Sequence, residues 1–316
     1  MIINTGQRTD IPAFYPEWLA NRIREGFVCV RNPYNPAQVS RYAINPDVVD
    51  VIGFCTKNPM PFFPYLDMVK KFGQFWYVTI TPYGKDIEPG VPDKDLVLES
   101  FRLLSERVGT NAIGWRYDPI FVSDRYSVDY HLNAFKKMAG ELDGYTKVVV
   151  ISFIDLYEKV KRNFPEAKTV TEKDKLFLGR EIIKIADKHG MVVKPCGEGN
   201  FLEKYGADCS GCMTISDYER AIGKKLVAPK TKSSRSVCPC FLSGDIGAYD
   251  TCGHFCKYCY ANNDADQVAI NMKNHDPNSP FLIGGYRPED VIHDVPQKSW
   301  VDGQINLFDY LRFTGA

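Results

Sequence analysis

Nowhere in the 316 residues is there a run of about 18 uncharged apolar residues, the length a helix needs to cross a bilayer. The first residues also lack the charged-then-apolar pattern of an export signal, so the expected location is the cytoplasm, with no membrane partner. Neither charge is in surplus: 39 Lys+Arg stand against 39 Asp+Glu. That balance excludes a protein that coats nucleic acid by bulk charge, although it leaves room for a local basic patch. With 44% hydrophobic and 25% charged residues the chain has the means to bury a sizeable core, and global disorder is not expected. Cysteine is one thing the chain does not lack. Ten cysteines would suggest disulfides in a small secreted domain, but this chain is long and without an export signal. Eight of the ten fall between residues 196 and 259, which points to metal ligation. Cys29 and Cys55 lie inside apolar runs and read as inert core thiols.

From the N-terminus one theme recurs: a short β-rich apolar run, a polar cluster, then a helical pattern. The runs begin at Ile2, Phe27, Val48, Phe75, Ala112, Val148 and Met191. Helices are expected near 18–23, 65–71, 94–108, 128–142 and 173–189. Seven such units at this spacing predict parallel strands joined by crossover helices. The fold class expected is therefore α/β, a TIM-type (β/α) barrel, with 241–249 as the eighth strand. A doubly wound open sheet is the alternative. The expected organisation is a barrel over 1–200, a Cys-containing insertion and basic linker over 201–240, a closing strand and cysteine loop over 241–275, and a loop and tail over 276–316.

The polar clusters fall at the C-terminal ends of the expected strands, where a barrel builds its active site. They supply Arg8, Asp10, Asn32, Lys57, Asn58, Thr81, Tyr83, Arg116, Asp118, Asp155 and Glu198 as candidate binding residues. Any one of these alone is as well explained by loop capping or an ion pair. Together they suggest a ligand.

The most informative stretch is Cys252-Gly253-His254-Phe255-Cys256-Lys257-Tyr258-Cys259-Tyr260. Its spacing lets one tight loop deliver three thiolates to a single cubic cluster and leave the fourth iron open to a small molecule. Cys196, Cys209, Cys212, Cys238 and Cys240 make five further thiols from three segments. Four thiolates saturate either a second [4Fe–4S] cluster, the preferred reading, or a structural zinc. Unmetallated thiols are the remaining alternative.

The Cys252–Cys259 spacing, with Tyr258 before the last cysteine, resembles that of the radical S-adenosylmethionine (SAM) enzymes. Over nearly its whole length the chain also resembles an uncharacterised prokaryotic domain-of-unknown-function family, grouped with radical SAM proteins and distantly similar to spore photoproduct lyase. The residues that carry this are Arg8–Tyr15, Arg31–Tyr34, Thr56–Pro59, Trp115–Pro119 and Asp245–Tyr249. The resemblance implies a [4Fe–4S] cluster on Cys252, Cys256 and Cys259, with SAM chelated at the open iron and Tyr258 beside its adenine. Family positions also select Cys196, Cys212, Cys238 and Cys240 for the second site, with Cys209 as the spare. Charge complementarity assigns Lys57 or Arg116 to the SAM carboxylate and Asp10, Asp118 or Glu198 to its ammonium, with Asn58 nearby in the same cluster. Tyr83 and Tyr117 are candidates to return a hydrogen atom.

In ordinary radical SAM enzymes the cysteine loop follows the first strand, whereas here it comes last. If 241–249 pairs with the Ile2 strand, the chain is a circular permutation of that topology. Gln304-Ile305-Asn306-Leu307-Phe308 resembles the bacterial sliding-clamp-binding pentapeptide, which implies work on DNA. The expected function is reductive cleavage of SAM and hydrogen abstraction from a substrate, with a nucleic-acid base or lesion as one candidate. A flavodoxin or ferredoxin is the expected electron donor. The alternative is a non-catalytic iron–sulfur electron carrier or a zinc-stabilised nucleic-acid-binding module.

Overall fold

A computed structural model describes residues 1–229, 240–241 and 244–303. Its strands are β1 (Ile2–Asn4), β2 (Phe27–Arg31), β3 (Gln38–Ala43), β4 (Val51–Thr56), β5 (Gly73–Thr79), β6 (Ile113–Ile120), β7 (Val148–Phe153), β8 (Val192–Pro195) and β9 (Val291–Asp294). Six of them form one sheet in the order β1-β4-β5-β6-β7-β8, with every neighbouring pair parallel. The near-continuous apolar strands β4 and β7 are buried on both faces, as a covered parallel sheet requires.

The outer face is packed by crossover helices where the periodicity predicts them. They run over Lys94–Val108, Val128–Glu141 and Glu172–Lys188, and Asp93, Ser127 and Thr171 each accept a first-turn N–H as side-chain cap. Alternation along the strands sends Trp115 and Trp76 outward: Trp115 stacks on Phe135 with ring centroids 4.8 Å apart, and Trp76 on Phe54 at 3.8 Å. Residues 116 and 118 therefore face the other way.

Three features depart from the sequence-based expectation. First, the Phe27 run is not part of the parallel sheet. It pairs antiparallel with β3, and β3 pairs parallel with β9, as a separate three-stranded sheet. Residues 32–37 are too few for a parallel crossover, and Asn32 closes them into a turn by accepting from the Tyr34 N–H at 2.9 Å. Asn32 thus belongs to a hairpin rather than to the strand ends of the main sheet.

Second, no sheet closes among the described residues, so the barrel is replaced by an open six-stranded sheet. The segment expected to be the eighth strand does meet β1, through one parallel bridge, Asn4 to Asp245. The Asn4 N–H donates to Gly244 O at 3.2 Å, and the Ile246 N–H to Asn4 O at 3.0 Å. Third, the face that a barrel would fill with strand side chains is covered by helix Ile215–Ile222, whose Tyr218 packs edge-on against Phe75 at 5.5 Å. The helix is pinned by a buried ion pair of Lys194 with Asp217 at 2.8 Å. At Gly73 a Cβ would lie 2.5 Å from Ile222, so only glycine lets the helix approach the strand this closely.

Among the described residues no helix is long and apolar enough to cross a membrane.

Candidate functional site

The chain from Asp245 onward is tied to β1 by its bridge and by Arg8, whose Nε donates to Asp245 Oδ1 at 2.8 Å. It then enters the cysteine loop at the C-terminal ends of β1 and β4. Phe255 takes a φ of 52°, which turns the loop back within a few residues.

Buried polar contacts pin the loop from three sides. His254 Nε2 lies 2.8 Å from Asp10 Oδ2, and the Tyr15 hydroxyl donates to Thr251 O at 2.6 Å. Asn262 Nδ2 donates to Cys252 O at 2.8 Å. On the far side the Gly90 N–H donates to His254 O at 2.9 Å, and the Lys257 N–H to Ile87 O at 3.0 Å. A Cβ at Gly90 would sit 2.1 Å from Gly253 O, so glycine is required where these two loops touch.

Cys252, Cys256 and Cys259 are held close enough that each thiol's charge affects the others. Burial, then Asp10, Cys259 and Cys256, pushes the Cys252 thiol well above the ordinary value. Burial likewise raises Cys256 to about 12, against the opposing pull of Lys57. Burial raises Cys259 too, while the N–H groups of Ala261 and Asn262 act to lower it, the former 3.3 Å from Sγ. One buried and two half-buried thiols, each raised by its surroundings, disfavour free thiolates. As a donor set they fit the metal chemistry their spacing implies.

Glu88, 1% exposed, organises the ground beside the loop. Its Oε1 accepts from Lys57 Nζ at 2.8 Å, from Thr81 Oγ1 at 2.7 Å and from the Tyr258 hydroxyl, while its Oε2 accepts from Lys94 Nζ. Burial alone would raise this carboxyl, but the two ammonium groups outweigh it and hold Glu88 at about 2. The Tyr258 ring is fixed in turn, with Lys57 Nζ 5.5 Å from its centroid and Tyr83 edge-on at 5.9 Å. Two lysines share one carboxylate, so this corner carries a net positive charge beside Cys256.

Across the same face Arg116 binds Asp118 through two N–H groups, Nη2 to Oδ2 at 2.6 Å and Nε to Oδ1 at 3.1 Å. Its remaining Nη1 points at Cys212 Sγ, 3.8 Å away. Cys55 is half-buried here, not sealed in the core. Burial raises its thiol to about 12, with Arg116, Asp118, Asp245 and Asp10 all within electrostatic reach.

The five upstream cysteines divide. Cys212 Sγ lies 3.3 Å from Cys196 Sγ and 3.2 Å from Cys240 Sγ. Cys209 stands apart, its thiol raised by burial and then by Glu203 and Asp208 rather than by another cysteine. Cys238 and the Gln304–Phe308 segment lie outside the described residues. As they stand, no group of three or more His, Cys, Asp or Glu among the described residues is spaced to hold a metal ion.

The structure therefore collects Cys252, Cys256, Cys259, Tyr258, Lys57, Asp10, Arg116 and Asp118 on one face. Asp10 already accepts from the Lys57 and Ala13 N–H groups as well as meeting His254. Glu198 is engaged elsewhere, accepting from the Phe153 N–H at 2.8 Å and lying 3.7 Å from Lys175. The Asn58 N–H donates to Thr56 Oγ1, which turns the chain out of β4. Tyr117 points to the helical layer, its hydroxyl 2.9 Å from His131 Nδ1, and so is not on this face. Glu88 and Lys94 carried no signal in the sequence. Two cavities of about 420 and 370 Å³, beside Trp300 and beside Tyr286 respectively, have no cysteine among their lining residues.

The fold and site define an α/β protein in which a parallel sheet presents a buried, cysteine-rich face. The chain belongs to the DUF1848 family, a domain of unknown function whose profile matches residues 2–261. No curated protein and no solved structure matches it.

Proposed function

We propose that this chain is a radical SAM enzyme. The observation that carries the reading is the Cys252–Cys259 loop: three thiols, one buried and two half-buried, pinned over the sheet by Asp10 and flanked by the Glu88 network. Cys252, Cys256 and Cys259 would hold a [4Fe–4S] cluster. When bound, that cluster supplies the electron that cleaves SAM and releases the radical that abstracts hydrogen from substrate.

The chain's own residues position and shield this chemistry. Tyr258, clamped by Glu88 and Lys57, offers a fixed ring face for the adenine. The surplus positive charge of Lys57 and Lys94 over Glu88 suits the SAM carboxylate. Asp118 meets the ammonium only by sharing its carboxylate with Arg116. Asp10 is better assigned to holding the loop, since its acceptor positions are spent on His254, Lys57 and Ala13. Glu198, bound to β7, is the weakest of the expected SAM contacts.

A nucleic-acid base or lesion is the proposed substrate class, resting on the Gln304–Phe308 motif and the lysines between 224 and 232. A flavodoxin or ferredoxin is the proposed electron donor. Two tests follow. Anaerobic reconstitution with iron and sulfide, reduction and addition of SAM should yield 5′-deoxyadenosine, and Cys256→Ala should yield none. Capture on immobilised sliding clamp should disappear when Leu307 and Phe308 become Ala; capture that survives would remove the argument for DNA.

A further inference from the structure

The thiols of Cys196, Cys212 and Cys240 have no part in that reaction, yet they converge from three distant segments. Cys196 follows β8 directly, and its N–H continues the ladder by donating to Ile151 O at 2.8 Å. Cys212 lies just before the helix Ile215–Ile222, which Lys194 ties to β8. Cys240 is brought in by the Phe241 N–H, which donates to Met213 O at 2.7 Å. Each segment is thus anchored by backbone or ion-pair contacts of its own.

The sulfur geometry is specific. Separations of 3.3 Å and 3.2 Å are shorter than the edge of a zinc–sulfur tetrahedron, about 3.8 Å for bonds of about 2.3 Å. A small outward step of each thiol would admit one ion between them. A cubane cluster places each cysteine on a different iron atom, which requires the thiols to stand much farther apart. Two polar groups also face the sulfurs. The Cys212 N–H lies 3.3 Å from Cys240 Sγ, and the Arg116 guanidinium, always charged, lies 3.8 Å from Cys212 Sγ. Arg116 is itself oriented by Asp118, so the positive group is held in place rather than drawn in from solvent.

We infer that Cys196, Cys212 and Cys240 supply three thiolate ligands to a structural zinc site that ties the 209–222 segment to the end of β8, separate from the Cys252–Cys259 loop. On binding, each thiol releases its proton to solvent and donates a lone pair to Zn²⁺; no electron is transferred. The site cross-links the end of β8 to two later segments, so metal occupancy should stabilise the whole fold.

The experiment uses full-length protein, purified under reducing conditions and given zinc alone, with bound metal counted by mass spectrometry and by chelator-driven release. One zinc per chain is expected, retained when Cys252, Cys256 and Cys259 are all replaced by Ser. Occupancy should fall more than about tenfold in Cys212→Ser and Cys196→Ser but not in Cys209→Ser. Cobalt in place of zinc should show thiolate-to-cobalt charge transfer and tetrahedral visible bands in the wild-type protein, a readout that stands even if the variants fail to fold. Zinc-free wild-type protein, iron and sulfide bound in the variant lacking Cys252, Cys256 and Cys259, or a disulfide among these three cysteines would each overturn the inference. A radical SAM failure with zinc retained would leave this site standing, because the two readings have separate outcomes.

Discussion

Replacing Glu88 by Gln keeps the shape of the side chain and removes the single negative charge that two lysines share. In the wild-type protein this carboxylate is 1% exposed and accepts from Lys57, Lys94, Thr81 and Tyr258. Removing one partner of a buried ion pair typically costs about 3–5 kcal/mol, because the other charge remains buried. Linkage gives the same scale: a carboxyl held at about 2 instead of the ordinary 4.5 is worth about 3 kcal/mol at neutral pH. Because its folded-state value is depressed, the contribution is fully present above pH 4.5 and is lost as pH falls toward about 2.

Urea unfolding of reduced, metal-free protein, followed by tryptophan fluorescence, should therefore show Glu88→Gln destabilised by about 3 kcal/mol at pH 7, with a flatter acid limb. Lys94→Met in the same background should recover part of the loss, since Lys94, with 21% of its side chain exposed, is one of the two charges left unpaired. A loss below about 1 kcal/mol, or strict additivity of the two changes, would refute the account of Glu88 as the shared buried counter-charge.

Three further outcomes are expected. His131 is fully buried between Tyr117 and Phe121 O, and burial lowers it to about 4 from 6.5, so the unfolded chain takes up its proton first as pH falls. Between those two values the wild type should lose up to about 3 kcal/mol more than His131→Gln, and equal pH profiles would contradict the assignment. Asp10→Asn should weaken the fold by about 1–3 kcal/mol and speed alkylation of Cys252 and Cys256 in metal-free protein; unchanged labelling would mean that Asp10 does not hold the loop. Trp115→Ala should cost about 3–5 kcal/mol by calorimetry or urea, because the ring is fully buried against Phe135.

Long periodic segments were readable from the residues alone. The helices Lys94–Val108, Val128–Glu141 and Glu172–Lys188 and the strand Val148–Phe153 stand within a residue or so of where apolar spacing puts them. Pairing was harder to read. Phe27–Arg31 has the same apolar character as the parallel strands, and only the shortness of the 32–37 connection distinguishes a hairpin from a crossover. Closure was over-read for a similar reason: seven strand-like runs do not reveal that helix Ile215–Ile222 will occupy the inner face.

Within the site, cysteine spacing and polar residues at strand ends were legible because chemistry constrains residue type. Glu88 was not, since an acid in a Pro- and Gly-rich loop looks like any solvated turn residue until the loop folds over Lys57. Cys55 packs against the core with its thiol raised by burial, as its apolar run suggests, but alternation along β4 turns it to the face of Arg116 and Asp118.

The central claim, that the Cys252–Cys259 loop supports SAM cleavage, is tested most directly by quantifying 5′-deoxyadenosine. The protein is reconstituted with iron and sulfide, reduced and mixed with SAM under anaerobic conditions. The account predicts 5′-deoxyadenosine and methionine in equal amounts from the wild-type protein and none from Cys256→Ala. Reconstituted protein that carries iron and sulfide but forms no 5′-deoxyadenosine, or that takes up zinc and no iron at these three cysteines, would contradict it.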